Sequence, residues 1–164
     1  MRVVSWNLAY WKPGRYKTVA NRRRQWALLA ALQPDIALLQ ECRPEDHRNL
    51  APSWMSEEYR LYGAIPDGWT ACSAALVRAT LPSHSPNLTG LPGPAAAWLQ
   101  LLSGRLAITQ VQLGEVAATV VSVHADAAEV KDGLTADDHT RLRRPALARA
   151  WYPDLVVGAL EPLT

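Results

Sequence analysis

The first forty residues alternate between short apolar runs and one helical segment. Residues 3–8 are rich in β-forming side chains and predict a buried strand. Residues 18–32 repeat apolar side chains at helical spacing, and residues 36–41 predict a second, near-continuous apolar strand. The predicted helix gathers its apolar positions on one face: Val19, Trp26, Leu29 and Leu32. Strand, helix and strand in this order are typical of a βαβ unit, in which both faces of the strands are covered.

The rest of the chain has weaker patterns. Residues 44–70 predict a short helix with loops, residues 74–77 a strand, and residues 80–94 a loop, because that segment holds four prolines and two glycines. Further apolar runs are at residues 98–102, 106–113 and 116–123. Leu113-Gly114-Glu115-Val116 predicts a tight hairpin between the last two runs. A second helix is expected from Thr135, which is placed to cap it, and Pro145 is expected to kink or divide that helix.

Three of the apolar runs carry a polar residue at, or directly beside, their carboxyl end. These residues are Asn7, Glu41 and His124. Burying a carboxylate or an imidazole at the end of an apolar strand is costly unless another group compensates it. In layered α/β folds, ligands bind at the carboxyl ends of the strands. An amide, a carboxylate and an imidazole that converge there suit a hard divalent cation and a phosphate group.

Each of these residues also has a purely structural interpretation. Asn7 suits a turn that terminates a strand, and Glu41 suits an ion pair with Arg43 or with an arginine of the helix. A single histidine such as His124 is more often a packed core or rim residue than a catalyst. The shared position of the three favours a site, but periodicity alone leaves the function open.

Composition sets the broad class of protein. The chain has 164 residues, of which 49% are hydrophobic and 20% charged, as in one soluble globular domain. A net charge of +2 indicates no particular partner. The arginine clusters at residues 22–24 and 141–144 are interpreted as solvated helix faces, with phosphate-binding patches as the alternative.

The cysteine spacing and the lengths of the apolar runs limit the compartment. Cys42 and Cys72 form no Cys-x-x-Cys motif and predict buried, reduced thiols. No apolar run reaches the roughly 18 residues that a membrane helix needs. A cytoplasmic protein without a transmembrane segment is therefore expected.

Taken together, the motifs resemble the endonuclease/exonuclease/phosphatase superfamily. The resemblance is carried by Met-Arg-Val-Val-Ser-Trp-Asn-Leu at residues 1–8 and by Pro-Asp-Ile-Ala-Leu-Leu-Gln-Glu-Cys at residues 34–42. Val-Val-Ser-Val-His-Ala at residues 120–125 is similar to the strand that delivers the catalytic histidine of that superfamily, and Gly104-Arg105 is similar to its phosphate-contacting segment. The resemblance implies a deoxyribonuclease I-like layered α/β sandwich, of which residues 1–164 form a single, incomplete domain covering roughly the first half to two-thirds.

The resemblance also implies an activity and roles for particular residues. The expected reaction is Mg²⁺-dependent hydrolysis of a phosphoester, with Mn²⁺ as the alternative ion and nucleic acid among the candidate substrates. Glu41 corresponds to the metal ligand, and Asn7 to the residue that holds the metal, its bound water or a phosphate oxygen. His124 corresponds to the histidine beside the scissile phosphate, and Arg105 to a contact with the substrate phosphate.

The chain departs from the superfamily pattern near its end. The run at residues 155–157 is followed by Gly-Ala-Leu-Glu-Pro, where the superfamily has Gly-Asp-x-Asn, and the Asp-His pair that follows in the superfamily has no counterpart. Because catalytic groups act as a unit, we expect an activity that is impaired or that depends on a complementary chain. The alternatives are a non-catalytic module that binds nucleic acid or protein, and a truncated remnant.

Overall fold

A computed structural model describes residues 1–10, 18–88, 99 and 102–124. The chain divides into two compact units, one of Met1–Asn87 with Leu102–His124 and one of Leu88–Leu101 with Ala125–Thr164. Almost all of the described residues belong to the first unit, and the following description concerns that unit alone. The predicted second helix and the segment at residues 155–161 lie outside the described residues. That the whole chain forms one domain stays a prediction.

The described residues form seven strands and three helices. The strands are β1 Val3–Asn7, β2 Ile36–Cys42, β3 Tyr59–Tyr62, β4 Cys72–Arg78, β5 Ser83–His84, β6 Leu106–Leu113 and β7 Val116–Val123. The helices are α1 Val19–Leu32, α2 Pro44–Asn49 and α3 Ser53–Glu58. They build a four-stranded sheet of order β1-β2-β4-β3 and a three-stranded sheet of order β5-β6-β7.

The predicted βαβ unit is confirmed. β1 and β2 pair in parallel, from Val3 opposite Ile36 to Asn7 opposite Gln40. Between them, α1 begins after Thr18, whose hydroxyl accepts a hydrogen bond from the backbone N–H of Asn21 at 3.3 Å. Because parallel strands run in the same direction, the carboxyl ends of β1 and β2 reach the same edge of the sheet.

Two apolar layers lie on opposite faces of the four-stranded sheet. The helix-side core packs α1 and the short helices against one face and contains Leu8, Trp26, Leu29, Ala30, Ala37, Leu39, Cys42, Met55, Tyr59, Ala74 and Leu76. The inter-sheet layer packs the other face against the three-stranded sheet and contains Ile36, Val77 and Val111, with Leu38, Tyr62, Leu81, Leu113 and Val120 at its margins. The unit is therefore layered as helices, sheet and sheet.

Several local predictions are wrong. β1 is an edge strand of the four-stranded sheet within the described residues, and Val3 is 51% exposed instead of buried. Val19 and Leu32, the first and last residues of α1, are also exposed, because the buried residues of α1 are Trp26, Leu29 and Ala30 in its second half. Strands β3 and β5 occupy segments predicted as helix or loop.

The hairpin prediction is confirmed. Leu113 pairs with Val116, and Gly114 in the turn has a φ of 64°. Two-residue hairpins favour positive φ, which glycine adopts without steric cost. Among the helices in the described part of the chain, none combines the length and the apolar character that crossing a bilayer requires.

Candidate functional site

The site begins where β1 and β2 end side by side. Asn7 is the last residue of β1, and Glu41 is the next-to-last residue of β2. The side-chain amide of Asn7 donates from Nδ2 to Glu41 Oε1 at 2.8 Å. The Glu41 carboxylate is buried, with only 8% of its side chain exposed. The register of the parallel strands therefore accounts for the meeting of two residues that are far apart in sequence.

The amide of Asn7 has a defined orientation. Its Oδ1 accepts a hydrogen bond from the backbone N–H of Ala9 at 2.7 Å, while its Nδ2 faces Glu41. An ionised carboxylate only accepts hydrogen bonds and a backbone N–H only donates, so one orientation of the amide satisfies both. Asn7 thus holds the Glu41 carboxylate in place.

His124 reaches the same point from the three-stranded sheet. It directly follows β7, and its ring Nε2 lies 3.5 Å from Glu41 Oε1. Its backbone N–H donates to the carbonyl of Arg105 at 2.8 Å, and its side chain is 15% exposed. The amide, the carboxylate and the imidazole named from the sequence therefore lie together at one rim.

The backbone at this rim is unusual. Ala9 and Glu41 have φ values of 53° and 51°, in the left-handed region that residues other than glycine seldom adopt. The register between β2 and β4 also shifts between Leu39 and Cys42. Such conformations cost about 1–3 kcal/mol each and occur preferentially at functional sites. A shift of register within a strand pair changes the direction in which the side chains beyond it point.

Arg105 lies beside His124 and is stacked on an aromatic ring. Its guanidinium lies over the indole of Trp69, 5.5 Å from the ring centroid. The preceding Gly104 has a φ of 77°, and a Cβ there would come within 2.7 Å of Pro66 and 3.2 Å of Trp69. No pattern in the sequence placed Trp69 near the site, because the segment that carries it lacks periodicity.

A second group of cationic side chains surrounds Tyr10, which follows β1. The guanidinium groups of Arg22 and Arg43 lie 5.6 Å and 5.2 Å from the centroid of the Tyr10 ring. Arg43 donates to the Tyr10 hydroxyl and to Glu45, each at 2.9 Å. Burial acts to lower the pKa of Arg43, but these two hydrogen bonds raise it overall. Neither the sequence pattern nor the resemblance indicated this cluster.

Arg22 departs from the interpretation of residues 22–24 as a solvated face. It forms an ion pair with Asp46, and the two side chains are only 14% and 9% exposed. Arg23 and Arg24 are exposed, as predicted. The solvated-face interpretation therefore holds for two of the three arginines.

Cys42 and Cys72 are buried, free thiols, as predicted. They face each other across β2 and β4. Burial raises the pKa of Cys42 well above its ordinary value and the pKa of Cys72 to about 12. Because the thiolate is the reactive form, both thiols are poor nucleophiles in the folded protein.

The described residues offer a limited set of ligands for a metal ion. Among them, no group of three or more His, Cys, Asp or Glu residues could enclose a metal. Mg²⁺ does not need such a cage, since it commonly binds one or two carboxylates and completes its shell with water and phosphate oxygens. The buried carboxylate of Glu41, which accepts a hydrogen bond from the neighbouring Asn7 amide, fits that kind of ion.

Comparisons with known proteins indicate the fold. No protein-family model matches the chain, and no curated protein matches it. Among solved structures, truncated Caenorhabditis elegans TDP2 matches with a TM-score of 0.55 and 19% identity over 77% of this chain and 47% of that chain. D. rerio TDP2 complexed with single strand DNA product matches with a TM-score of 0.54 and 19% identity, covering 80% of this chain and 48% of that chain.

The endonuclease domain of TRAS1, a telomere-specific non-LTR retrotransposon, also matches, with a TM-score of 0.47 and 20% identity over 76% of this chain and 44% of that chain. The two TDP2 structures establish that the chain has the deoxyribonuclease I-like α/β fold. The predicted resemblance is thereby confirmed at the level of the fold. The chain spans about half the length of the structures it matches.

Proposed function

We propose that the chain is a divalent-metal-dependent phosphoester hydrolase whose site contains Glu41, Asn7 and His124. One observation carries the proposal: a buried carboxylate is bonded to an amide at 2.8 Å and lies 3.5 Å from an imidazole, at the carboxyl ends of strands in a deoxyribonuclease I-like fold. This donor set suits a hard cation with a phosphate group bound to it.

Each residue has a distinct role in this proposal. Glu41 would hold Mg²⁺, which when bound neutralises charge on the phosphate. Asn7 keeps the carboxylate of Glu41 oriented and lies close enough to the rim to contact a phosphate oxygen. His124 holds or moves a proton beside the scissile phosphate. Arg105, beside His124, contacts a non-bridging phosphate oxygen through its guanidinium.

Single-stranded DNA is the substrate that we propose to test first. D. rerio TDP2, with which this chain shares its fold, is described as complexed with single strand DNA product. A phosphodiester backbone would place its scissile phosphate at Glu41 and its flanking charges on the arginines nearby. The comparisons give no support to the complementary chain expected from the sequence.

The rate is expected to be low. The positions after Gly158 hold Ala159, Leu160 and Glu161, and none supplies the aspartate and asparagine of the superfamily pattern. Losing one member of a catalytic unit can reduce a rate by several orders of magnitude. Assays therefore need high protein concentrations and long incubations.

The test is cleavage of bis-p-nitrophenyl phosphate and of a labelled single-stranded oligonucleotide, with Mg²⁺ or with a chelator. We expect turnover that requires the metal and that falls at least about 100-fold in Glu41→Gln. Glu57→Gln is the matched control, because Glu57 is an exposed carboxylate of α3 and its loss should leave the rate unchanged. No metal-dependent turnover in the native chain, or equal rates in the native chain and Glu41→Gln, would overturn the proposal.

Binding without turnover is the second candidate function. It is favoured by the Ala-Leu-Glu sequence at residues 159–161 in place of the catalytic motif. In that case, anisotropy should show single-stranded DNA binding that weakens as salt rises, because phosphate contacts release counterions. Replacing the exposed Arg23 and Arg24 with glutamine should reduce both the affinity and the salt dependence. Affinity that is insensitive to salt and to these arginines would exclude this function.

A further inference from the structure

Glu41 lies in the four-stranded sheet, whereas His124 directly follows β7 of the three-stranded sheet. Their 3.5 Å contact therefore depends on how the two sheets are placed against each other. Among the described residues, the buried apolar cluster between the two sheets consists of Ile36, Val77 and Val111, with further apolar side chains at its margins. Apolar packing is non-directional and does not by itself fix one sliding position of a sheet over another. A displacement of about 1 Å in a catalytic group can cost about 100-fold in rate.

A buried hydroxyl ties β7 to β2 directly beneath the site. The Ser122 hydroxyl donates to the carbonyl of Leu39 at 2.9 Å and accepts from Gln40 Nε2 at 3.1 Å. Ser122 is only 1% exposed. Leu39 and Gln40 immediately precede Glu41, and Ser122 is two residues before His124. Alternate residues of a strand face the same side, so Ser122 and the imidazole of His124, two residues on, lie on the same side of β7.

A second buried hydroxyl makes the reciprocal connection. Ser73 of β4, also 1% exposed, donates from Oγ to the carbonyl of Arg105 at 2.8 Å. That same carbonyl accepts the backbone N–H of His124, also at 2.8 Å. One serine of each sheet therefore donates to a backbone carbonyl in, or directly beside, the other sheet. The carbonyl that Ser122 reaches is two residues before Glu41, and the carbonyl that Ser73 reaches also accepts the N–H of His124.

A third buried hydroxyl provides a contrast. Thr109 of β6 is 0% exposed, yet within the described residues its Oγ1 has no hydrogen-bond partner. A buried hydroxyl without a partner is a cost to stability. The bonds of Ser122 and Ser73 are therefore not a general property of hydroxyls in this layer, and Thr109 supplies a matched control.

We propose that Ser122 is a positioning residue that fixes the Glu41 carboxylate against the His124 imidazole, with Ser73 fixing the backbone on the opposite side. The inference rests on the proposed function, since it assigns the pair a joint task in the reaction. Gln40 completes the link by holding the Ser122 hydroxyl in the rotamer that reaches Leu39.

The first test is kinetic. With bis-p-nitrophenyl phosphate and Mg²⁺, Ser122→Ala should lower kcat about 10- to 100-fold with little change in KM, because substrate binding is kept while alignment is lost. Ser122→Thr, which keeps a hydroxyl, should recover most of the loss. Thr109→Val removes a buried hydroxyl from the same layer and should change neither parameter. Gln40→Met tests the link without altering Ser122 and should lower kcat by a smaller factor.

The second test needs no turnover. Nuclear Overhauser contacts between the His124 ring protons and the Glu41 side chain report directly whether the pair is in place. We expect these contacts in the native chain and in Thr109→Val, and their loss in folded Ser122→Ala. A further outcome is a native chain that shows no turnover while the His124–Glu41 contacts still disappear in Ser122→Ala. That result would overturn the proposed function and leave the positioning role of Ser122 standing. Unchanged contacts in Ser122→Ala, or a kcat within twofold of the native value, would overturn the positioning role and leave the function standing.

Discussion

The two faces of the four-stranded sheet are built differently. The helix-side core buries large side chains such as Trp26, Leu29 and Met55 in one continuous apolar cluster. The inter-sheet layer buries few large apolar side chains and contains the hydroxyls of Ser73, Ser122 and other polar groups. The candidate site lies where the strands on both sides of the second layer end.

The two layers therefore contribute to different properties: one to the stability of the fold, the other to the relative placement of the side chains in the site. Apolar burial contributes free energy in proportion to area but tolerates small displacements. Hydrogen bonds between buried groups contribute less free energy each but have strict geometry. We infer that the helix-side core supplies most of the free energy of unfolding, while the inter-sheet layer determines the geometry of the site.

The largest expected effect is the loss of a core leucine. Leu29 is 0% exposed in the helix-side core, and Leu29→Ala should lower the free energy of unfolding by about 3–4 kcal/mol, measured by urea denaturation. The adjacent Leu28 is 53% exposed, and Leu28→Ala should cost less than about 1 kcal/mol. Val111→Ala in the inter-sheet layer should cost about 2 kcal/mol. A larger loss for Val111→Ala than for Leu29→Ala would reverse the comparison.

The next effect concerns the ion pair at the edge of the helix-side core. Arg22→Met should cost about 3 kcal/mol, because it leaves the Asp46 carboxylate buried without its partner. Arg23→Met, at the neighbouring exposed position, should change stability by less than about 0.5 kcal/mol. Adding Asp46→Leu to Arg22→Met should restore much of the loss. Equal effects of Arg22→Met and Arg23→Met would show that the pair is solvated.

A pH dependence should arise from the same side of the sheet. Burial, and to a lesser extent Arg48, lowers the pKa of His47 below its ordinary value of 6.5, although a hydrogen bond to the Met55 carbonyl opposes this. The unfolded chain therefore binds a proton near pH 6.5 before the folded chain does. Stability should be complete above about pH 7 and should fall as the pH drops below 6.5, with a slope of at most about 1.4 kcal/mol per pH unit.

His47→Gln should remove this part of the slope in urea titrations between pH 5 and pH 7.5. The exposed His84 is the control, and His84→Gln should leave the slope as it is. A slope that survives in His47→Gln would assign the dependence to other groups.

The smallest expected effect is at the strained backbone beside Asn7. Ala9 has a φ of 53°, so Ala9→Gly should raise the free energy of unfolding by about 0.5 kcal/mol, after the greater entropy of glycine in the unfolded chain is subtracted. The same substitution at Ala27, in the middle of α1, should instead cost about 1 kcal/mol. A loss of stability in Ala9→Gly would indicate that the backbone there is relaxed.

Much of the fold could be predicted from the sequence where one physical rule dominates. The apolar runs of β2 and β4, the helical spacing of α1 and the turn at Gly114 are local signals, and the structure follows them. The exposure of Val3 and the strands β3 and β5 depend on which strands become neighbours. That is a tertiary property, and it overrides local propensity.

The same distinction applies to the candidate site. The polar ends of three apolar runs pointed to Asn7, Glu41 and His124, and the pairing of strands brings these side chains together. Trp69, Tyr10 and Ser122 lie in segments whose composition carries no sign of their neighbours. Their contacts depend on loop conformation and on how one sheet packs against the other. Neither produces a periodic pattern of apolar and polar residues that could be recognised in the sequence.

Gly104 restricts which residues can stand at its position on the rim of the site. Its φ of 77° and the 2.7 Å between a hypothetical Cβ and Pro66 leave no room for any side chain. The indole of Trp69 lies 3.2 Å from the same hypothetical Cβ and stacks against the Arg105 guanidinium. Any side chain at position 104 would therefore press on the ring that supports Arg105, so the glycine protects the placement of a candidate phosphate-binding group.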